Sequence, residues 1–154
     1  MKKIVFTSVF IFFFLFLTVF AQHKTENNRA YSLPATKKSS DPLEASKERG
    51  QIVYQKECLS CHQEDGSGAQ RMFPPLIKTK AVLGEKAYLI QTVLKGSGGI
   101  NKDREEIYQN VMAPHNHLSN RQVADVLTYI RNSFGNKVVA VNAAEVKVIR
   151  ARIK

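Results

Sequence analysis

Cys58-Leu59-Ser60-Cys61-His62 is the stretch that decides how this chain folds and what it holds. The two thiols are three positions apart, about one helical turn, and a histidine directly follows the second. That spacing is the attachment signal for covalently bound haem. The thiols can add to the two vinyl groups on neighbouring edges of one porphyrin, and His62 can then reach the iron from below the ring. Three other readings compete. A C-x-x-C redox disulfide ordinarily follows a strand and opens a helix, whereas the residues before Cys58 read as a helix that is closing. A tetrahedral zinc site needs four ligands; Cys58, Cys61 and two of His62, His115 and His117 supply them on paper, but H-x-H is unusual spacing. A disulfide between Cys58 and Cys61, the default pairing in an oxidising compartment, would close a short, strained loop.

Upstream of the motif, Asp41-Pro42-Leu43-Glu44 reads as a helix start, with aspartate as N-cap, proline at the first helical position and glutamate three residues after the cap. The helix is expected to run to about Cys58. Residues 22–41 form a flexible linker, rich in Asn, Ser, Thr and Lys and without an apolar period. Before it, Met1-Lys2-Lys3 is followed by the apolar run Ile4–Phe20 and the small-residue ending at Ala21. Residues 1–21 are therefore expected to be a signal peptide, or an uncleaved N-terminal anchor. With Lys2 and Lys3 on the inner side, both readings send the rest of the chain outward, to a periplasmic or otherwise exported location.

Downstream, Glu64-Asp65-Gly66-Ser67-Gly68 and Phe73-Pro74-Pro75-Leu76 read as loops, since each proline pushes its predecessor out of the helical region. A second helix is expected from near Glu85 to Lys95, stopped by Gly96. Residues 97–117 form a long loop with a short turn at Glu105–Asn110. A connection of that length inside a small domain is usually functional. Ser119-Asn120-Arg121-Gln122 is a capping box, with Leu118 and Val123 as its hydrophobic staple. Val123, Val126, Leu127, Ile130 and Phe134 then make the clearest amphipathic helix, ended by Gly135. No useful strand-like alternation occurs. The fold class is all-α, with three main helices around one covalently attached haem in a domain spanning residues 42–136. Residues 137–154 are expected to be a basic C-terminal tail, in which Asn142-Ala143-Ala144-Glu145 can cap a short helix.

The formal charge of +10 is unevenly spread. Residues 45–135 carry twelve basic and nine acidic side chains, whereas residues 136–154 carry five basic and one acidic. Nucleic acid is a poor partner for an exported chain. The charge at Lys147, Arg150, Arg152 and Lys154 better suits steering towards an acidic redox protein or an anionic membrane surface.

Haem iron in a pure electron carrier takes a second axial ligand, because six-coordination leaves no site for oxygen or substrate. A thioether favours Fe(II) and raises the potential relative to bis-histidine ligation. After Ala21 the methionines are Met72 and Met112. Met72 follows His62 by ten residues, in a loop expected to run beneath the ring. Met112 sits in the long loop after the second helix, from which the other face can be approached, so Met112 is the expected ligand. His115 and His117 compete for that position. No nucleophile–base pair or carboxylate dyad accompanies these residues, and the chain is not expected to be an enzyme.

Over roughly residues 43–136 the sequence resembles class I cytochromes c. The resemblance rests on Gly50 and Tyr54, on Cys58, Cys61 and His62, and on Gly66-Ser67-Gly68. It continues through Phe73-Pro74-Pro75-Leu76, Gly96, Met112 with Pro114, Leu127-Thr128-Tyr129-Ile130-Arg131-Asn132 and Gly135-Asn136. It implies the cytochrome c fold and a single haem c whose iron is held by His62 and Met112. Gly50 and Tyr54 are expected to meet Val126 and Tyr129 where the first and last helices cross. The Pro74 carbonyl should accept the His62 Nδ1–H, and Leu76 should pack on the haem. The distal loop departs from the family pattern: Met112-Ala113-Pro114 stands where methionine and proline usually adjoin. The implied function is one-electron transfer between respiratory or dehydrogenase redox protein partners, by a monomer outside the cytoplasm. Two alternatives are a haem module docked in a larger oxidase, nitrite reductase or dehydrogenase complex, and a haem sensor with an open distal site.

Overall fold

Most of the helices begin where a side chain accepts an unpaired N–H of the first turn; the helix from Lys86 begins at Glu85 without such a cap. The computed structural model describes residues 40–97, 108 and 110–153. In it Asp41 caps α1 (Pro42–Glu57) by accepting the Leu43 N–H at 2.8 Å, with proline at the head of the helix. Glu44 pairs with Lys47 at 2.9 Å. Cys58, at φ −122° and ψ −31°, interrupts the helical path before the single turn α2 (Leu59–His62). Another short turn, α3 (Lys80–Leu83), was not anticipated; Thr79 caps it through its hydroxyl, which accepts the Val82 N–H at 3.2 Å. α4 (Lys86–Lys95) ends at Gly96, whose φ is 72°.

Ser119 and Gln122 cap α5 (Asn120–Arg131) reciprocally, and Asn142 and Glu145 do the same for α6 (Ala143–Arg152). Among the described residues there is no strand, only isolated bridges at Ala69–Phe73 and Ser97–Met112. The all-α expectation holds. The expected signal peptide or anchor, the linker before Ser40, and most of the turn at Glu105–Asn110 lie outside the described residues. Among those described, no helix is long and apolar enough to cross a membrane.

The last main helix is shorter than its apolar pattern suggests. α5 stops at Arg131, and Phe134 lies beyond it with a φ of 56°. Side-chain amides take over the carbonyls at this end. Asn132 donates to the Thr128 carbonyl at 3.0 Å, and the buried Asn136 donates to Ile130 and Leu76 at 2.8 and 2.9 Å. The chain turns there because its acceptors are satisfied from outside the helix.

α1 packs chiefly on α5, and Gly50 sets the distance. A Cβ there would fall 2.0 Å from the Asp125 carbonyl oxygen and 2.7 Å from the Tyr129 Cβ, so only glycine allows this approach. The buried Tyr54 stacks against Tyr129 and Phe134 with ring centroids 5.4 Å away in each case, and its hydroxyl donates to the Gln63 carbonyl at 2.6 Å. Asp125, itself buried, accepts from Ser46 at 2.6 Å and from both Nε and Nη2 of Arg49 at 2.7 and 2.8 Å, which fixes the rotation of α1 on α5.

The segment after Gly135-Asn136, expected to trail as a basic tail, is packed against the rest. Val141 and Val146 are buried core residues, and Ile149 and Ile153 are partly buried against the same core. α6 lies on α4 and α5. The Thr128 hydroxyl both donates to and accepts from the backbone of Val141 at 3.0 Å, and Arg131 Nε donates to the Val139 carbonyl at 2.9 Å. Lys86 pairs with Glu145. The expected boundary near Gly135-Asn136 therefore does not divide two independently exposed parts. The reason is physical: Val146 is the one buried residue of α6, and polar groups make up much of the rest of the attachment.

These contacts give two measurable outcomes. Val146→Ala in the haem-loaded protein should cost about 2 kcal/mol in a denaturant melt, because two buried carbon groups and their packing are lost. Val148→Ala, half exposed on the same helix, should stay within ~0.5 kcal/mol. Equal, negligible effects would mean that α6 is a solvated end. The second outcome concerns acid. Burial pushes the Glu145 carboxyl up, but the Lys86 hydrogen bond, the Asn142 N–H and the positive charges of Lys86 and Arg131 outweigh it and hold it below its ordinary 4.5. A depressed carboxylate stabilises the fold above its unfolded value and loses that contribution as pH falls through the folded one. Stability should therefore decline below about pH 4.5, and Glu145→Gln should flatten that part of the pH profile while lowering stability at neutral pH.

Candidate functional site

A cavity of about 350 Å³ opens beside the α1–α5 crossing, within the range of sites for small molecules and cofactors. Cys58, Cys61 and His62 reach it from the end of α1 and from α2, Pro74 and Leu76 from the following loop, and Met112 from the loop after α4. All six residues singled out in the sequence thus line one space. Further walls come from Val82, Leu89, Val93, Leu127 and Ile130, which reading the motif alone did not identify. Part of their signal was in the sequence, since Val93, Leu127 and Ile130 occupy the apolar spacing of the two later helices. Val82 belongs to the unanticipated turn α3.

His62 is the most constrained polar group here. It is 9% exposed, and its Nδ1 lies 3.0 Å from the Pro74 carbonyl oxygen. A carbonyl can only accept, so Nδ1 carries a proton and Nε2 is the nitrogen that can offer a lone pair to a metal. That bond fixes both tautomer and ring orientation, and it makes the second nitrogen a better donor to a metal. The loop that supplies the carbonyl is folded back on α2: Gly68 N–H donates to the His62 carbonyl at 3.0 Å, and Leu76 N–H to the Gly66 carbonyl at 2.7 Å.

Burial, with smaller contributions from the Glu57 charge and from Cys61, pushes the Cys58 thiol up to about 12. In the folded surroundings this sulfur is therefore held neutral, as suits an atom destined for an apolar wall. Met112 exchanges two backbone hydrogen bonds with Ser97, both 3.0 Å long. Gly96 makes that contact possible, because a Cβ at this residue would stand 2.2 Å from the Met112 carbonyl oxygen. Met72 is 46% exposed and does not line the cavity. His115 does line it. Its Nε2 lies 3.2 Å from the Glu57 carbonyl, and its Nδ1 is buried without a hydrogen-bond partner. His117 lies outside the cavity, with its Nε2 3.2 Å from the Glu57 carboxylate. Among the described residues no cluster of three or more His, Cys, Asp or Glu side chains is placed to hold a bare metal ion.

A flat, apolar, iron-bearing ring fits this donor set. Two thiols and one oriented imidazole meet at the edge of a space whose other walls are mostly hydrocarbon. A helical domain enclosing such a site fits a haem protein. The cytochrome c family model matches residues 47–134, more than half of the chain, and the chain belongs to this family as a class I c-type cytochrome domain. It therefore carries one haem c, joined covalently through Cys58 and Cys61, and functions in electron transfer.

Several relatives agree. The cytochrome c subunit of a quinone alcohol dehydrogenase from Gluconacetobacter polyoxogenes is 38% identical over 104 residues, covering 66% of this chain and 22% of that subunit. Cytochrome c-552 from Thermus thermophilus is 33% identical over 105 residues, covering 62% of this chain and 80% of that protein. The CcoP subunit of a cbb3-type cytochrome c oxidase from Azospirillum brasilense is 28% identical over 113 residues, covering 70% of this chain and 34% of that subunit. The chain thus spans about a fifth of the length of the dehydrogenase subunits it matches.

Removing the attachment sulfurs gives the direct test of the covalent link. Cys58→Ser and Cys61→Ser should each sharply reduce the yield of haem-loaded protein, and the double variant should carry no haem through denaturing electrophoresis. Full haem staining of the double variant would refute attachment at these residues.

Proposed function

We propose that this domain is an exported one-electron carrier whose iron is held by His62 through Nε2 and by Met112 through its thioether, and that it is not itself an enzyme. The observation that carries this reading is the arrangement of the two donors. His62 enters the cavity locked by the Pro74 carbonyl, and Met112 enters the same cavity from a different segment that is bonded to the end of α4. The bound haem supplies an Fe(III)/Fe(II) couple. The protein's own residues do the rest. Pro74 keeps the imidazole from turning, the thioether favours the reduced state, and the apolar walls of α4 and α5 limit the water that would otherwise reorganise around a changing charge. Two permanent ligands leave no open position for a substrate, which argues against the haem-sensor alternative.

The donor and acceptor are redox proteins outside the cytoplasm, to which the apolar N-terminal run directs the chain, either released or held at the membrane. The domain acts as a monomer with no nucleic-acid role. A second reading is a module docked in a larger complex. The dehydrogenase and oxidase subunits among its relatives favour this, since the matched stretch is there one part of a longer chain.

Replacing Met112 separates the ligand choices. Met112→Ala should keep covalent haem, lose the weak near-infrared absorption of thioether-bound Fe(III), and let the reduced protein bind carbon monoxide. Met72→Ala should do none of these. If Met72→Ala produces the changes and Met112→Ala does not, the wrong methionine has been assigned. If neither does, His115 is the competing donor in the cavity, and the midpoint potential should sit lower than a thioether would set it.

A further inference from the structure

α6 lies wholly beyond the family match, yet its most elaborate polar contact is directed at the loop that presents Met112. Arg150 donates through Nε to the Asn120 side-chain oxygen at 2.8 Å, through Nη1 to the Asn116 carbonyl at 2.9 Å, and through Nη2 to the Leu118 carbonyl at 2.6 Å. Three acceptors within five residues thus converge on one guanidinium. A planar fork with fixed N–H directions can span them, whereas a single ammonium cannot. The charge that the sequence offers as a docking feature is, at this residue, turned inwards.

The segment between Met112 and α5 is therefore held from two sides. On one side are the Ser97–Met112 bonds and the His115 N–H donated to the Val93 carbonyl at 2.8 Å. On the other is Arg150, whose helix is seated by the fully buried Val146 and by the Lys86–Glu145 pair. We infer that Arg150 is a positioning residue for Met112, clamping the distal loop from outside the family core so that the thioether stays within reach of the iron. This rests on Met112 being the ligand. A thioether binds Fe(III) weakly, so its occupancy depends on how little the loop must be reorganised to present it.

The test uses haem-loaded Arg150→Ala, Arg150→Lys and Met112→Ala, with Asn120→Ala as a milder variant that removes one acceptor. Amide exchange should quicken about tenfold at His115 and Leu118 in Arg150→Ala, the scale expected for loss of charge-assisted bonds, while Tyr54 in α1 stays unchanged. The near-infrared band of the oxidised form should weaken, and carbon monoxide should bind the reduced form about tenfold faster. Arg150→Lys should recover only part of both properties, and Asn120→Ala should shift them in the same direction by less. Wild-type loop exchange and carbon monoxide binding in Arg150→Ala, with the band lost in Met112→Ala, would overturn the clamp and leave the ligand standing. Retention of the band in Met112→Ala would instead remove the ligand assignment beneath it. Equal acceleration at Tyr54 and Leu118 in both Arg150→Ala and Asn120→Ala would make Arg150 a general stabiliser and overturn the positioning role.

Discussion

The backbone-to-backbone approach of α1 and α5 at Gly50 is the constraint from which the rest follows. With no side chain at Gly50, α1 can settle against the Asp125 carbonyl, and Tyr54 can lock the crossing against Tyr129 and Phe134. The attachment residues stand at the end of α1, so the crossing also fixes where Cys58, Cys61 and His62 meet the cavity wall that Leu127 and Ile130 contribute from α5. A change of angle here would carry the haem attachment away from its apolar bed. The stabilising energy of the crossing is thus also a positioning energy for the cofactor, because the two functions use the same atoms.

Around that frame the two residues proposed as iron ligands are held by backbone groups more than by other side chains. The Pro74 carbonyl orients His62, and two bonds to Ser97 align Met112. Backbone groups cannot change rotamer, so the His62 ring and the Met112 backbone each have a fixed partner. The arrangement suits a carrier, in which the geometry of the two oxidation states should differ as little as possible. It also leaves the cavity walls mostly apolar, which favours the less charged reduced centre.

Much of this was legible in the sequence because it depends on fixed spacing. Cys58, Cys61 and His62 declare the cofactor; Gly50 four residues before Tyr54 marks the crossing; Pro74-Pro75 marks the loop whose carbonyl meets His62. The resemblance to class I cytochromes c supplied the pairings that spacing alone could not, and Gly50 indeed meets Tyr129, with Asp125 as its nearest neighbour. Other features were not legible. The end of α5 at Arg131 depends on side-chain amides of Asn132 and Asn136 reaching back to free carbonyls, which no apolar period records. The packing of α6 was hidden for a related reason. Its charged residues read as a solvated basic end, but Arg150 and Glu145 make specific bonds to the core, and Val146 alone in the helix is fully buried. Where attachment is made by polar groups meeting distant backbone, the local sequence resembles surface.

The central claim is that one haem is bound covalently through both thiols of this domain. A pyridine haemochrome spectrum of the denatured, haem-loaded protein, combined with its intact mass, tests this most directly. The account predicts one haem per chain that resists acid–acetone extraction, a mass raised by that of a single haem, and the α-band position of a haem with both vinyl groups saturated. Haem that extracts into the solvent, leaving a chain of unmodified mass with two alkylatable thiols, would contradict it.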